Sequence, residues 1–135
     1  MEDKAGELAL HLAVLEQALE TLDEALREPF SVIVRDATIQ RFEYTFELAW
    51  KLLRKVSKIE GLETASPRQA IRAAFDVKLI EDADAWFEML EARNRTSHTY
   101  DAATAEEVYE SAARFPALLR QVIREVRPRY LPKDP

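Results

Sequence analysis

Glycine is almost missing from this chain, with two in 135 residues. Hairpins between strands draw on glycine for their positive-φ positions, so a β-meander or barrel has too little punctuation here. Alanine, leucine, glutamate and arginine are abundant instead, and all four favour helix. The expected fold class is therefore all-α, an up-and-down antiparallel four-helix bundle with one additional short helix. A hydrophobic content of 47% is enough to close one core of ordinary domain size. The expected division is one helical bundle domain over 1–127 and an extended C-terminal tail over 128–135.

Apolar spacing locates the helices. Leu8, Leu12, Leu15, Leu19, Leu22 and Leu26 recur in steps of four and three, the seam of a bundle helix over about 3–27. Pro29 ends it. A second helix starts between Ser31 and Asp36 and runs to about Glu60, with Ile39, Phe42, Phe46, Ala49, Leu53 and Val56 along one side and Gly61 as its stop. Ser66-Pro67-Arg68-Gln69 is a capping box with proline in the first helical position, the start of a short helix to about Val77. Asp82 can cap a fourth helix whose stripe, Ala83, Trp86, Leu90 and Arg93, begins apolar and ends in a charge. Thr104-Ala105-Glu106-Glu107 reads as another capping box before a last helix bearing Val108, Ala112, Phe115, Leu119, Val122 and Val126. That pattern keeps its phase across Pro116, which predicts a kink and no break. Three prolines between Pro128 and Pro135 predict an extended end.

Composition narrows the function. Without cysteine there is no disulfide, thiolate ligand or thiol nucleophile, which suits a reducing compartment. No apolar run approaches the ~20 residues that span a bilayer, and Met1-Glu2-Asp3-Lys4 is unlike a secretory signal. The expectation is a cytoplasmic protein with no membrane partner. A net charge of −6 argues against wrapping long nucleic acid through the overall field. Within residues 112–135, six cations against two carboxylates leave +4, and hence −10 over residues 1–111. The basic end reads first as charge that complements a helix C-terminus.

Only His11 and His98 can carry protons near neutrality. His11 lies beside the first leucine stripe and reads as packing. His98 belongs to Arg93-Asn94-Arg95-Thr96-Ser97-His98-Thr99-Tyr100. On a continuous helix Asn94 would neighbour His98 and could orient its ring. Arg93 and His98 would diverge by ~140°, so they converge only where the helix ends or tightens before His98, as the threonine–serine pair favours. Taken as residues alone, the cluster fits helix-end charge with a packing tyrosine better than it fits a reactive site. No metal set is expected, because Glu81, Asp82, Asp84 and Glu88 read as helix-start charge and no second histidine accompanies His98.

The spacing Arg93, four residues, His98, one residue, Tyr100 resembles the signature of HEPN domains of the HepT kind. Arg41-Phe42-Glu43-Tyr44-Thr45-Phe46-Glu47-Leu48-Ala49-Trp50-Lys51 is similar to the family of nucleotidyltransferase substrate-binding proteins. The resemblance implies a two-fold homodimer and a companion MntA-like minimal nucleotidyltransferase, the two forming a toxin–antitoxin pair. It further implies a ribonuclease that needs no metal or cofactor, with RNA as substrate, Arg93 and His98 catalytic, and Tyr100 the acceptor of an AMP group that silences it. Cleaving RNA through its own 2′-hydroxyl needs a base, an acid and positive charge at the phosphate. One chain offers one histidine at this site, so paired copies of His98 and Arg93 must meet. Asn94 and Arg95 are expected to support them, and Tyr44 and Glu47 to line a cleft facing the fourth helix. The family's other implied role is a non-catalytic substrate-binding subunit of the transferase.

Overall fold

The computed structural model describes residues 4–131. Five α-helices follow in order: α1 (Lys4–Arg27), α2 (Val32–Ile59), α3 (Pro67–Asp76), α4 (Ala83–Asn94) and α5 (Ala102–Tyr130), with a 3₁₀ turn at Thr96–His98 between the last two. Local chemistry sets most of the starts. The Ser31 hydroxyl accepts from the Val34 N–H at 3.0 Å and that of Ser66 from the Gln69 N–H at 3.2 Å, while the Gln69 amide oxygen accepts from the Ala65 N–H at 2.7 Å. Asp82 caps α4 by accepting from the Ala85 N–H at 3.0 Å. Each satisfies amides that have no partner inside the helix. Past α2 the chain turns at Gly61, whose φ of +84° lies in the left-handed region, open to glycine without a Cβ penalty.

Long-range pairs give the topology. Asp23 and Glu16 of α1 meet Arg120 and Arg127 of α5, so these two helices are antiparallel. Arg35 pairs with Glu106 and Phe42 packs on Phe115, so α2 and α5 run parallel across the middle. Trp86 packs on Phe115 and Arg95 pairs with Glu107, so α4 runs against α5. The result is an up-and-down four-helix bundle of α1, α2, α4 and α5, with α3 packed against both α2 and α4. Its centre is an aromatic cluster of Phe42, Phe46, Trp86 and Phe115, whose neighbouring rings lie 5.4–6.2 Å apart. The leucine stripe of α1 is buried from Leu8 to Leu22. Among the described residues no helix is long and apolar enough to cross a membrane.

Two local expectations are corrected. The capping box proposed at Thr104 is already helix, because α5 begins at Ala102 with Asp101 as its cap. The Asp101 carboxylate accepts from both the Thr104 N–H, at 3.1 Å, and the Thr104 hydroxyl, at 2.8 Å. Thr104 is thus a donor to the cap and not the cap itself. The extended tail expected from Pro128 begins later, since α5 continues through Pro116 and Pro128 to Tyr130. The Arg129 guanidinium fastens that end by donating to the carbonyls of Lys78 and Val77 at 3.0 and 2.7 Å, and the Tyr130 hydroxyl donates to Glu60. Lys78 holds a left-handed φ of 63°, a cost for a residue with a side chain, which the Arg129 clamp offsets. Residues 132–135 of the expected tail lie outside the described residues.

Candidate functional site

The polar octapeptide falls where α4 stops, and its own side chains make it stop. The Arg95 N–H is shared between the carbonyls of Glu91 and Ala92, at 3.2 and 3.0 Å. The Thr96 hydroxyl donates to the Arg93 carbonyl at 2.8 Å, and that of Thr99 to the Thr96 carbonyl at 3.1 Å. Hydroxyls thereby take over carbonyls that a continuing helix would have satisfied through backbone N–H groups. The chain tightens into the 3₁₀ turn and enters α5 under the Asp101 cap. The Thr104 hydroxyl and N–H beside Asp101 hold its carboxyl below the ordinary 3.8.

Arg93 turns toward α2. Its Nη2 lies 3.3 Å from Glu47 Oε2, and its guanidinium carbon lies 5.9 Å from the centroid of the Phe46 ring. The same Glu47 carboxylate accepts from the Trp50 indole N–H at 3.1 and 3.3 Å. Arg93 Nε is buried and has no hydrogen-bond partner. The guanidinium is thus anchored on one edge while part of it stays open to solvent. Glu47 thus pairs with the last turn of the fourth helix. The pairing with Arg93 and the Phe46 ring beneath it carry no sequence signal, because apolar periodicity tells which face of a helix is buried and not which helix lies opposite.

His98 and Tyr100 face outward. Their ring centroids are 6.1 Å apart at 77°, an edge-to-face contact, and Tyr100 is 86% exposed. The relation expected between Asn94 and His98 is absent. Asn94 is the last residue of α4, and among the described residues its amide makes no hydrogen bond to the imidazole. Arg95 pairs with Glu107 of α5 at 2.9 Å. Tyr44 departs from its expected place facing α4, as its hydroxyl is hydrogen-bonded to Thr21 of α1. The structure therefore joins Arg93 to Glu47 and His98 to Tyr100, and leaves Tyr44 elsewhere. The exposed imidazole and phenol are hydrogen-bonding groups open to a ligand, and the Arg93 guanidinium holds its positive charge against α2. Among the described residues no three histidine, aspartate or glutamate side chains are grouped to hold a metal ion.

Most described cations of the basic end are paired: Arg114, Arg120, Arg127 and Arg129 meet Glu88, Asp23, Glu16 and Glu125.

Known proteins carry this same arrangement of helices. A family model described as "nucleotidyltransferase substrate binding protein like" matches residues 7–127. A protein of Haemophilus influenzae named probable ribonuclease HepT is 31% identical over 117 residues, covering 74% of this chain and 80% of that protein. A crystal structure from Thermus thermophilus is 42% identical with a TM-score of 0.78, over 84% of this chain and 98% of the other. A Haemophilus influenzae structure described as revealing the fold of a substrate binding domain of a nucleotidyltransferase is 25% identical, TM-score 0.67, over 91% of this chain and 98% of the other.

Proposed function

The chain belongs to the nucleotidyltransferase substrate-binding protein family, and from that premise we propose that it is a HepT-like ribonuclease whose activity a companion nucleotidyltransferase silences by AMP transfer to Tyr100. The observation that carries the reading is the end of α4. Hydroxyl-terminated helix and 3₁₀ turn leave His98 and Tyr100 side by side in solvent, one turn after an arginine anchored by a carboxylate. In this reading a two-fold dimer brings two such ends together. One His98 takes the proton of the ribose 2′-hydroxyl as that oxygen attacks the phosphorus, and the other protonates the departing 5′-oxygen. The Arg93 guanidiniums neutralise charge on the phosphate as it develops. Arg95, paired with Glu107, supports the turn that carries His98. Tyr100 is open enough to meet a second enzyme's active site, and a nucleotide attached there would set an anion and its bulk beside the arginines that RNA must reach.

The test is to incubate the purified chain with ATP and its partner transferase, weigh it, and assay RNA cutting before and after. Gain of one AMP per chain, with pyrophosphate released from ATP as the Tyr100 oxygen takes the α-phosphate, lost in Tyr100→Phe, together with cutting that disappears on modification, is the expected result. Unmodified protein that leaves RNA intact would remove the nuclease reading. The second reading, a non-catalytic substrate-binding subunit, draws on the description of the Haemophilus fold. It is favoured if Tyr100 is modified while RNA is untouched throughout.

A further inference from the structure

Pairing is uneven over the surface. Among the described residues eight arginines, including four of α5, have carboxylate partners. Lys51, Arg54, Lys55 and Lys58, all in the second half of α2, have none among the described residues. Steps of four, three and four carry Glu47, Lys51, Arg54 and Lys58 along one face. At ~1.5 Å per residue that face extends about 16 Å beyond Glu47.

It begins at the site itself. Arg54 lies 5.0 Å over the Trp50 ring, the Trp50 indole donates to Glu47, and Glu47 holds Arg93. At its other end Arg54, Lys55 and Lys58 join Lys4 around an open groove of about 510 Å³, which Glu7 and Glu63 also line. Thr64 lines the same groove with its hydroxyl oxygen buried and without a hydrogen-bond partner. The positive field reaches inward. His11 is held below its ordinary value of 6.5 chiefly by burial, with repulsion from Lys55, Lys51 and Arg54 adding to it.

We infer that this face is the path of the RNA strand, with successive phosphates on Lys51, Arg54 and Lys58 as a single strand leads away from Arg93 and His98. The inference rests on the ribonuclease reading and gives a chain of net charge −6 a local route for a polyanion. A row of cations at one per helical turn, with an arginine seated on an indole, suits a repeating phosphate backbone. An acidic protein segment has no such repeat to match.

The experiment titrates fluorescein-labelled single-stranded RNA against the His98→Ala chain by anisotropy at several salt concentrations, so that no cutting intervenes. Lys51→Gln/Arg54→Gln/Lys58→Gln is then added to that background, with Arg124→Gln on α5 as a control of equal kind. The expected result is affinity lower by ~10-fold or more and a salt slope smaller by about 2, the value for three lost phosphate contacts on a single strand. The control should change neither. A triple variant that keeps both affinity and slope overturns the path, as does one that holds RNA as before and loses only its grip on the partner transferase. RNA that binds along this face but is never cut by the unaltered chain would sink the nuclease reading and leave the path standing, whereas no RNA binding at all sinks both.

Discussion

At the scale of the residue, Arg93 is positioned more than it is stabilised. Arg93 and Glu47 side chains are 26% and 38% exposed, so solvent screens the pair and its net worth is about 0.5–1 kcal/mol. Glu47→Gln keeps an acceptor for the Trp50 indole while removing the charge that holds the guanidinium. It should lower the unfolding free energy by no more than ~1 kcal/mol and slow RNA cutting ~10-fold, mostly in kcat. Equal cutting rates in urea-stable protein would show that Glu47 does not orient Arg93. His11 gives a separate prediction. Its Nε2 donates to the Leu48 carbonyl at 2.8 Å, and burial holds the ring neutral below the usual imidazole range. The unfolded chain takes up that proton as pH falls through 6.5 while the native ring resists it, so stability falls there with decreasing pH. Denaturant midpoints of the parent should decline across that window more steeply than those of His11→Gln. Identical slopes would contradict the assignment. The octapeptide itself was legible, as was the need for the helix to end before His98. The Arg93–Glu47 pair was not, since nothing local in either segment names the other.

At the scale of the element, the starts and stops of α4 and α5 are what present the site. Asp101 accepts two bonds from Thr104, so Asp101→Ala should lower the melting temperature through loss of the cap. Thr104→Val, which leaves the backbone N–H bond to Asp101, should cost less than that. An Asp101→Ala variant that melts with the parent would show the cap to be without effect. The caps at Ser66 and Asp82 were legible because Pro67 and Gln69 mark the first as a capping box and Asp82 directly precedes the stripe that starts at Ala83. Sequence reasoning misplaced the start of α5 because Asp101 and Thr104 are both good caps three residues apart, and the carboxylate, able to accept from backbone and hydroxyl together, prevails. Proline misled in the same way at Pro128, where distant partners, Glu60 and the carbonyls of Val77 and Lys78, hold the last turn of α5.

At the scale of the whole molecule, one aromatic centre ties α2, α4 and α5 together, and the site at the end of α4 depends on it. Phe115 touches Phe42, Phe46 and Trp86, so Phe115→Ala should cost ~3–5 kcal/mol, seen as a lower urea midpoint with an unchanged slope. Trp86→Phe should cost clearly less, because the buried Trp86 Nε1 already lacks a partner and its removal relieves an unsatisfied donor. The bundle was legible because leucine, phenylalanine and valine stripes of period 3.6 have no other use in a chain so poor in glycine. The distribution of free positive charge was not, since Arg114, Arg120 and Arg127 of the basic end are paired with carboxylates of α4 and α1, elements remote from it in sequence. The central claim is that paired His98 side chains cut RNA through its own 2′-hydroxyl. Its most direct test is the rate at which the unmodified chain and His98→Ala cleave one labelled single-stranded RNA, beside the same strand in 2′-deoxy form. The account predicts cleavage of the RNA by the unmodified chain alone and no cleavage of the deoxy strand. Equal cutting by His98→Ala, or cutting of the deoxy strand, would contradict it.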